Sequence, residues 1–153
     1  MSTQYTDPRF GSLVERYHNF APYLIGTAQW NGQIVSIWVM GGADAKCVVR
    51  PASLDALGVL FDSQRTWTQR IRGEIVTKLY LELKDRLRKP SLDADSFWDG
   101  LRLLHVRTDD DFTFEFVFDT SGVGLTNTIC VYGQPDIGVE EAFVDPNTPN
   151  PDT

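Results

Sequence analysis

The sequence predicts an α+β domain. Its core is an antiparallel sheet of about five to six strands with helices packed on one face, in the order β-hairpin, two to three helices, β-strands. Three observations predict it. Asn31-Gly32 separates two apolar stretches, a central block repeats its apolar residues at helical spacing, and phenylalanines occupy alternate positions from Phe112 to Phe118.

Residues 1–8 read as a loose start, and 10–16 as a short strand. Tyr23 to Trp30 and Gln33 to Met40 are stronger strand candidates. Asn31-Gly32 between them tolerates the positive φ angles of a two-residue hairpin turn. Val35, Ile37 and Val39 alternate with Ser36 and Trp38, the pattern of a half-buried strand that Gly41-Gly42 ends.

Helices follow. Ser53 fits an N-cap, with Pro51 just outside, ahead of Leu54, Leu57, Leu60 and Phe61. A longer helix is expected from about Gln64 to Leu87. Its residues Trp67, Ile71, Ile75, Leu79 and Leu83 recur every fourth position. In an α-helix each such step drifts by about 40°, so the stripe winds and a wide buried face is expected. Gly73 marks a bend or a close contact, and Pro90 stops the run. A short third helix begins near Asp95 with Phe97 and Trp98.

Strands return with Leu101 to Thr108, a turn at Asp109-Asp110-Asp111, and the row Phe112, Phe114, Phe116 and Phe118. Thr120 to Gly124 forms a loop, and Thr126 to Tyr132 the next strand. The ending DPNTPNPDT is polar and proline-rich. The expected organisation is a single domain over 1–144 and a disordered C-terminal tail over 145–153.

The chain of 153 residues has 42% hydrophobic and 23% charged residues, as in a globular protein with a real core. Its net charge of −7 opposes nonspecific attraction to nucleic acid or an anionic membrane. That total is uneven: residues 1–62 carry −1, residues 63–90 carry +5 and residues 91–153 carry −11. An acidic surface of this kind suits a basic protein partner. No apolar run approaches a membrane span, and no charged start precedes an apolar stretch, so a cytoplasmic location is expected. Cys47 and Cys130 are then expected as thiols, Cys130 buried within its strand.

Catalytic signatures are scarce. His18 and His105 stand outside any zinc pattern, and no cofactor or metal is expected. Asp93, Asp95 and Asp99 lack the glycine and glutamate of a calcium loop and read as a helix N-terminus. Gly122-x-Gly124 precedes a strand rather than a helix, so it reads as a hairpin loop. Glu115 and Asp119 are four apart on one strand face and would suit acid–base work, or simply a polar solvent side.

A broader pattern joins these segments. WNGQIVSIWV is followed by an L-x-x-L helix, a long helix with Trp67 and Leu79-Tyr80, a D-x-F step at Asp95 and Phe97, and TICVYGQPDIGVEEAFV with Ile129, Val131, Gly133, Asp136, Gly138 and Ala142. Over roughly residues 10–144 this resembles an uncharacterised bacterial family of small domains of unknown function. Related small α+β domains occur as immunity proteins that block toxins. The resemblance implies a fold and no catalytic residue.

The expected function is therefore a non-enzymatic protein-binding domain, an immunity-type protein that neutralises a toxin by occlusion. Its expected surface comprises Asp109, Asp110, Asp111, Glu115 and Asp119, with Trp98 or Trp38 as anchor. One alternative is a small hydrolase or ligand-binding enzyme using His105 with the strand carboxylates. Another is a structural component of a phage or secretion apparatus.

Overall fold

The computed structural model describes residues 4–18, 21–40, 51–87, 92–109 and 111–151. Gly41-Gly42, Cys47, Pro90 and Asp110 lie outside them.

Among the described residues eight strands form one sheet in chain order. Strands β1 (Gln4–Asp7), β2 (Gly11–His18), β3 (Ala21–Trp30) and β4 (Gln33–Met40) make an antiparallel meander. Helices follow, and then a second meander: β5 (Arg102–Thr108), β6 (Phe114–Asp119), β7 (Asn127–Gln134) and β8 (Gly138–Pro149). The meanders join where β4 pairs with β5 in parallel, Ile37 opposite Val106. This corrects the expected antiparallel sheet of five to six strands: the sheet is mixed and has eight. A long helical crossover returns the chain to the end where β4 began, and only a parallel neighbour can result.

The additional strands are those with weak apolar alternation. The loose start contains β1. The expected disordered tail is ordered through residue 149 as the second half of β8. Polar contacts hold that segment. Asn127 Nδ2 donates to the Asp145 carbonyl, Thr128 Oγ1 to the Thr148 carbonyl, and Asn150 Nδ2 to the Leu125 carbonyl.

The hairpin at Asn31-Gly32 forms as its sequence requires, both residues taking positive φ (48° and 81°) between the paired Trp30 and Gln33. Helix α1 (Pro51–Asp62) starts earlier than expected. Ser53 is a tie rather than a cap. Fully buried, it donates from Oγ to the Met40 carbonyl, and its own carbonyl accepts from Thr108 Oγ1. It thereby fastens α1 across the parallel seam.

Helix α2 (Gln64–Glu74) runs on through a π-helical segment (Ile75–Tyr80), an α turn (Leu81–Leu83) and a 3-10 turn (Lys84–Arg86). The π segment accounts for the four-residue stripe. Closed by i→i+5 hydrogen bonds, a π turn holds more than four residues and drifts opposite to an α turn. Trp67, Ile71, Ile75, Leu79, Leu83 and Leu87 consequently all stay buried on one line instead of winding round the helix. Thr77 Oγ1 assists by donating to the Gly73 carbonyl (2.6 Å). In the short helix α3 (Ala94–Asp99), the Asp93 side chain accepts from the Ser96 backbone N–H and caps the first turn.

The helices cover the sheet face that carries Phe114, Phe116 and Phe118. Trp67, Trp30 and Trp98 meet these rings in turn. Phe112, expected in the same row, sits in the turn with φ 62° instead. A β-bulge between Leu103 and His105 resets the alternation of β5, so that Leu103 and Val106 both reach the core while His105 faces the other side.

Candidate functional site

The open face of the sheet carries one continuous row across its strands. Register aligns Ile25, Trp38, Arg107, Glu115, Tyr132 and Glu141, one from each strand of β3 to β8. Side chains at paired positions share a face, so this row carries two aromatic rings, a guanidinium and two carboxylates.

The row borders one end of the sheet. Thr108 pairs with Phe114 and Gln134 with Gly138, which places the turn around Asp109–Phe112 beside the turn around Asp136. Asp111, Asp136 and Glu141 are exposed there, and Asp109 and Glu115 are half-buried. Arg107 Nη2 reaches Asp109 Oδ2 at 3.4 Å. Asp111 Oδ1 accepts from Thr113 Oγ1 (2.6 Å). Of the expected surface residues, the structure thus groups Asp109, Asp111, Glu115 and Trp38. Asp110 lies outside the described residues.

Asp119 does not belong to this group. It ends β6 at the opposite end of the strand, 3% exposed. Its carboxylate accepts from Arg102 Nη2 (3.1 Å) and the Ser121 backbone N–H (2.8 Å). Burial pushes its pKa up, but the hydrogen bonds from Ser121 and the Arg102 charge outweigh that and hold it below the usual carboxylate value. Its role is structural: it fixes the 3-10 turn Ser121–Val123 to β5. Trp98 is also elsewhere. Half-buried on α3, it leans on Phe118 with ring centroids 5.7 Å apart.

Around Trp38 the open face has a small core of its own. Trp38 is stacked between Tyr23 (5.2 Å) and His105 (5.0 Å). Trp38 Nε1 and Arg107 Nε are buried without a hydrogen-bond partner among the described residues. His105 pairs in register with Val117, Val117 with Cys130, and Cys130 with Phe143. Burial, followed by the Arg107 charge, lowers the His105 pKa to about 4, so the ring is neutral at pH 7. Cys130 is 2% exposed and its thiol faces Glu115 and Asp145. Burial first, then those two carboxylates, push its pKa up to about 12. Such a thiol is a poor nucleophile.

The enzyme alternative needs a pocket joining His105 to a carboxylate. Three of the cavities on the described surface are lined by none of His105, Glu115 and Asp119. The one with the most aromatic lining lies between α2, α3, the hairpin turn and strands β5 and β6, where Trp98 stands. Among the described residues no group of three His, Cys, Asp or Glu side chains is placed to hold a metal ion. No helix of the described chain is long and apolar enough to cross a membrane.

The signals missed in the sequence are those of register. Nothing local ties Trp38 to Glu115, 77 positions apart, or marks Glu141 and Asp136 as neighbours of the Asp109 turn. Compared with protein-family models, with curated proteins and with solved structures, the chain matches none of them.

Proposed function

We propose that this chain is a non-enzymatic, cytoplasmic protein-binding domain, an immunity-type protein that neutralises a toxin by occlusion. The observation that supports the reading is the cross-sheet row from Trp38 to Glu141, bordered by Asp109, Asp111 and Asp136. Carboxylates at its margin steer a basic surface into place and select against acidic partners. The half-buried Trp38 ring supplies the apolar contact area that a charged rim alone lacks. The buried Cys130 thiol, whose pKa is pushed up to about 12, supplies no thiolate nucleophile to this face at pH 7.

The test is capture with the tagged protein from its source cells, at low and high salt, followed by co-expression of any stoichiometric partner. The expected result is one basic partner, lost at high salt, whose toxicity the wild-type chain relieves. The variant D109K/D111K/E115K should slow association at least tenfold while remaining folded. A partner bound equally well by the variant would reject this surface, and a partner without toxicity would reject the immunity reading.

A further inference from the structure

The cavity at the hairpin end of the molecule lies away from the acidic row and serves no part of that proposal. It has a volume of about 270 Å³, just below the roughly 300–1,000 Å³ of drug-sized sites. Its inner wall is apolar: Ile71 of α2, Leu103 of β5, and Phe116 and Phe118 of β6, all buried. Trp30 and Trp98 add indole surface. Its rim is polar, formed by Asn31, Gln33, Thr68 and Asp99.

The hydrogen bonds of the rim decide its chemistry. Asn31 uses its Nδ2 on Thr68 Oγ1 (2.8 Å) and its backbone N–H on Gln64 Oε1 (2.7 Å), which leaves its side-chain oxygen without a donor among the described residues. Gln33 uses its Nε2 on the Leu103 carbonyl (3.3 Å), which leaves Oε1 in the same condition. Thr68 Oγ1 accepts from both Asn31 and Trp30 Nε1 (2.9 Å), so both its lone pairs are taken. Among the described residues Asp99 is the only charged one that lines the cavity, and no Lys or Arg of them pairs with it. Two amide oxygens and a carboxylate, all on exposed residues, thus stand at the mouth of an aromatic-walled pocket with no donor from the described residues. The ring faces and the carboxylate both favour a positive charge. An anion would meet Asp99 with no cation to offset it.

From this geometry we infer that the cavity binds a small organic cation, an ammonium carried on a flat aromatic body. The body lies against Trp98 and the Phe118 wall, and the ammonium donates to Asp99 and to the oxygens of Asn31 and Gln33.

The experiment uses the full chain with 15N label and two probes of nearly equal shape, tryptamine and its neutral alcohol analogue, 3-(2-hydroxyethyl)indole. Tryptamine should saturate below roughly 10 mM and shift the indole N–H signals of Trp30 and Trp98 while that of Trp38 stays in place. The neutral probe should bind about fivefold more weakly. In D99N, an exposed and fold-neutral change, the two probes should bind within about twofold of each other, whereas D111N keeps the preference. Lack of saturation would overturn the inference. So would equal affinity of both probes for the wild-type chain, or an undiminished preference in D99N.

Discussion

Trp38 stacks on His105, with ring centroids 5.0 Å apart and planes 25° from parallel. The contact joins β4 to β5 on the open face and keeps the imidazole out of water. His105 consequently titrates at about 4 rather than 6.5. Because the folded pKa is depressed, the unfolded chain binds a proton that the folded chain refuses between those values. Stability should fall as pH drops from 7 to 5, by about 2 kcal/mol from this group alone. Urea unfolding of wild type and H105F at the two pH values checks this. The phenyl ring keeps the stack, so H105F should lack that share of the pH dependence. An equal dependence in both would place its origin elsewhere.

Asp119 and Asp111 are both acidic and both near strand ends, yet their loss should differ sharply. Asp119→Ala removes a buried carboxylate and with it the charged hydrogen bonds it accepts from the exposed Arg102 guanidinium and the Ser121 N–H. A loss of about 2 kcal/mol is expected. Asp111→Ala removes an exposed side chain and should cost under about 0.5 kcal/mol. Chemical denaturation of the two variants measures the contrast. As the Asp119 pKa is lowered in the fold, its contribution is present at neutral pH and disappears as pH falls through the folded value.

Gly122 and Gly100 touch backbone to backbone. A Cβ at Gly122 would overlap the Gly100 carbonyl oxygen, and one at Gly100 would reach the Val123 side chain at 2.7 Å. Gly122→Ala should therefore cost about 1–3 kcal/mol, read as a lowered denaturation midpoint. Gly73→Ala, with open space around it, should instead stabilise the helix by about 0.5–1 kcal/mol.

The Cys130 thiol should resist alkylation. At pH 8 in native buffer, iodoacetamide should leave it unmodified, and in denaturant it should label fully. Peptide mapping by mass spectrometry distinguishes this position from Cys47. Rapid native labelling of Cys130 would show that the β6–β8 segment opens readily.

What the sequence discloses here is what neighbouring residues decide together. Asn31-Gly32 has the conformations that its turn needs, and Phe114, Phe116 and Phe118 alternate because one face of β6 is core. Apolar residues at every fourth position revealed the long helix, but not the π segment that keeps their stripe straight. β1 and the end of β8 were unreadable because side-chain-to-backbone bonds, such as Thr128 to Thr148, take the place of an apolar pattern. The parallel seam was hidden because strand direction depends on where the crossover returns. For the candidate surface, the aspartate turn was legible and its relation to Trp38 was not. Asp119 misled because its partner, Arg102, is 17 positions away.

The seam between β4 and β5 also bears on how the chain finds its fold. Every other strand pairs with a neighbour through a short connection, whereas Ser36 meets His105 about seventy residues downstream, a closure whose entropy must be met before any seam contact rewards it. Each meander is a local ribbon that needs no such closure. Val106, buried at the seam, and Val35, in a hairpin that forms without that closure, are therefore both placed where truncation should slow folding. The two halves of the sheet are independent in pairing and become one sheet only when the helical crossover has brought their edges together.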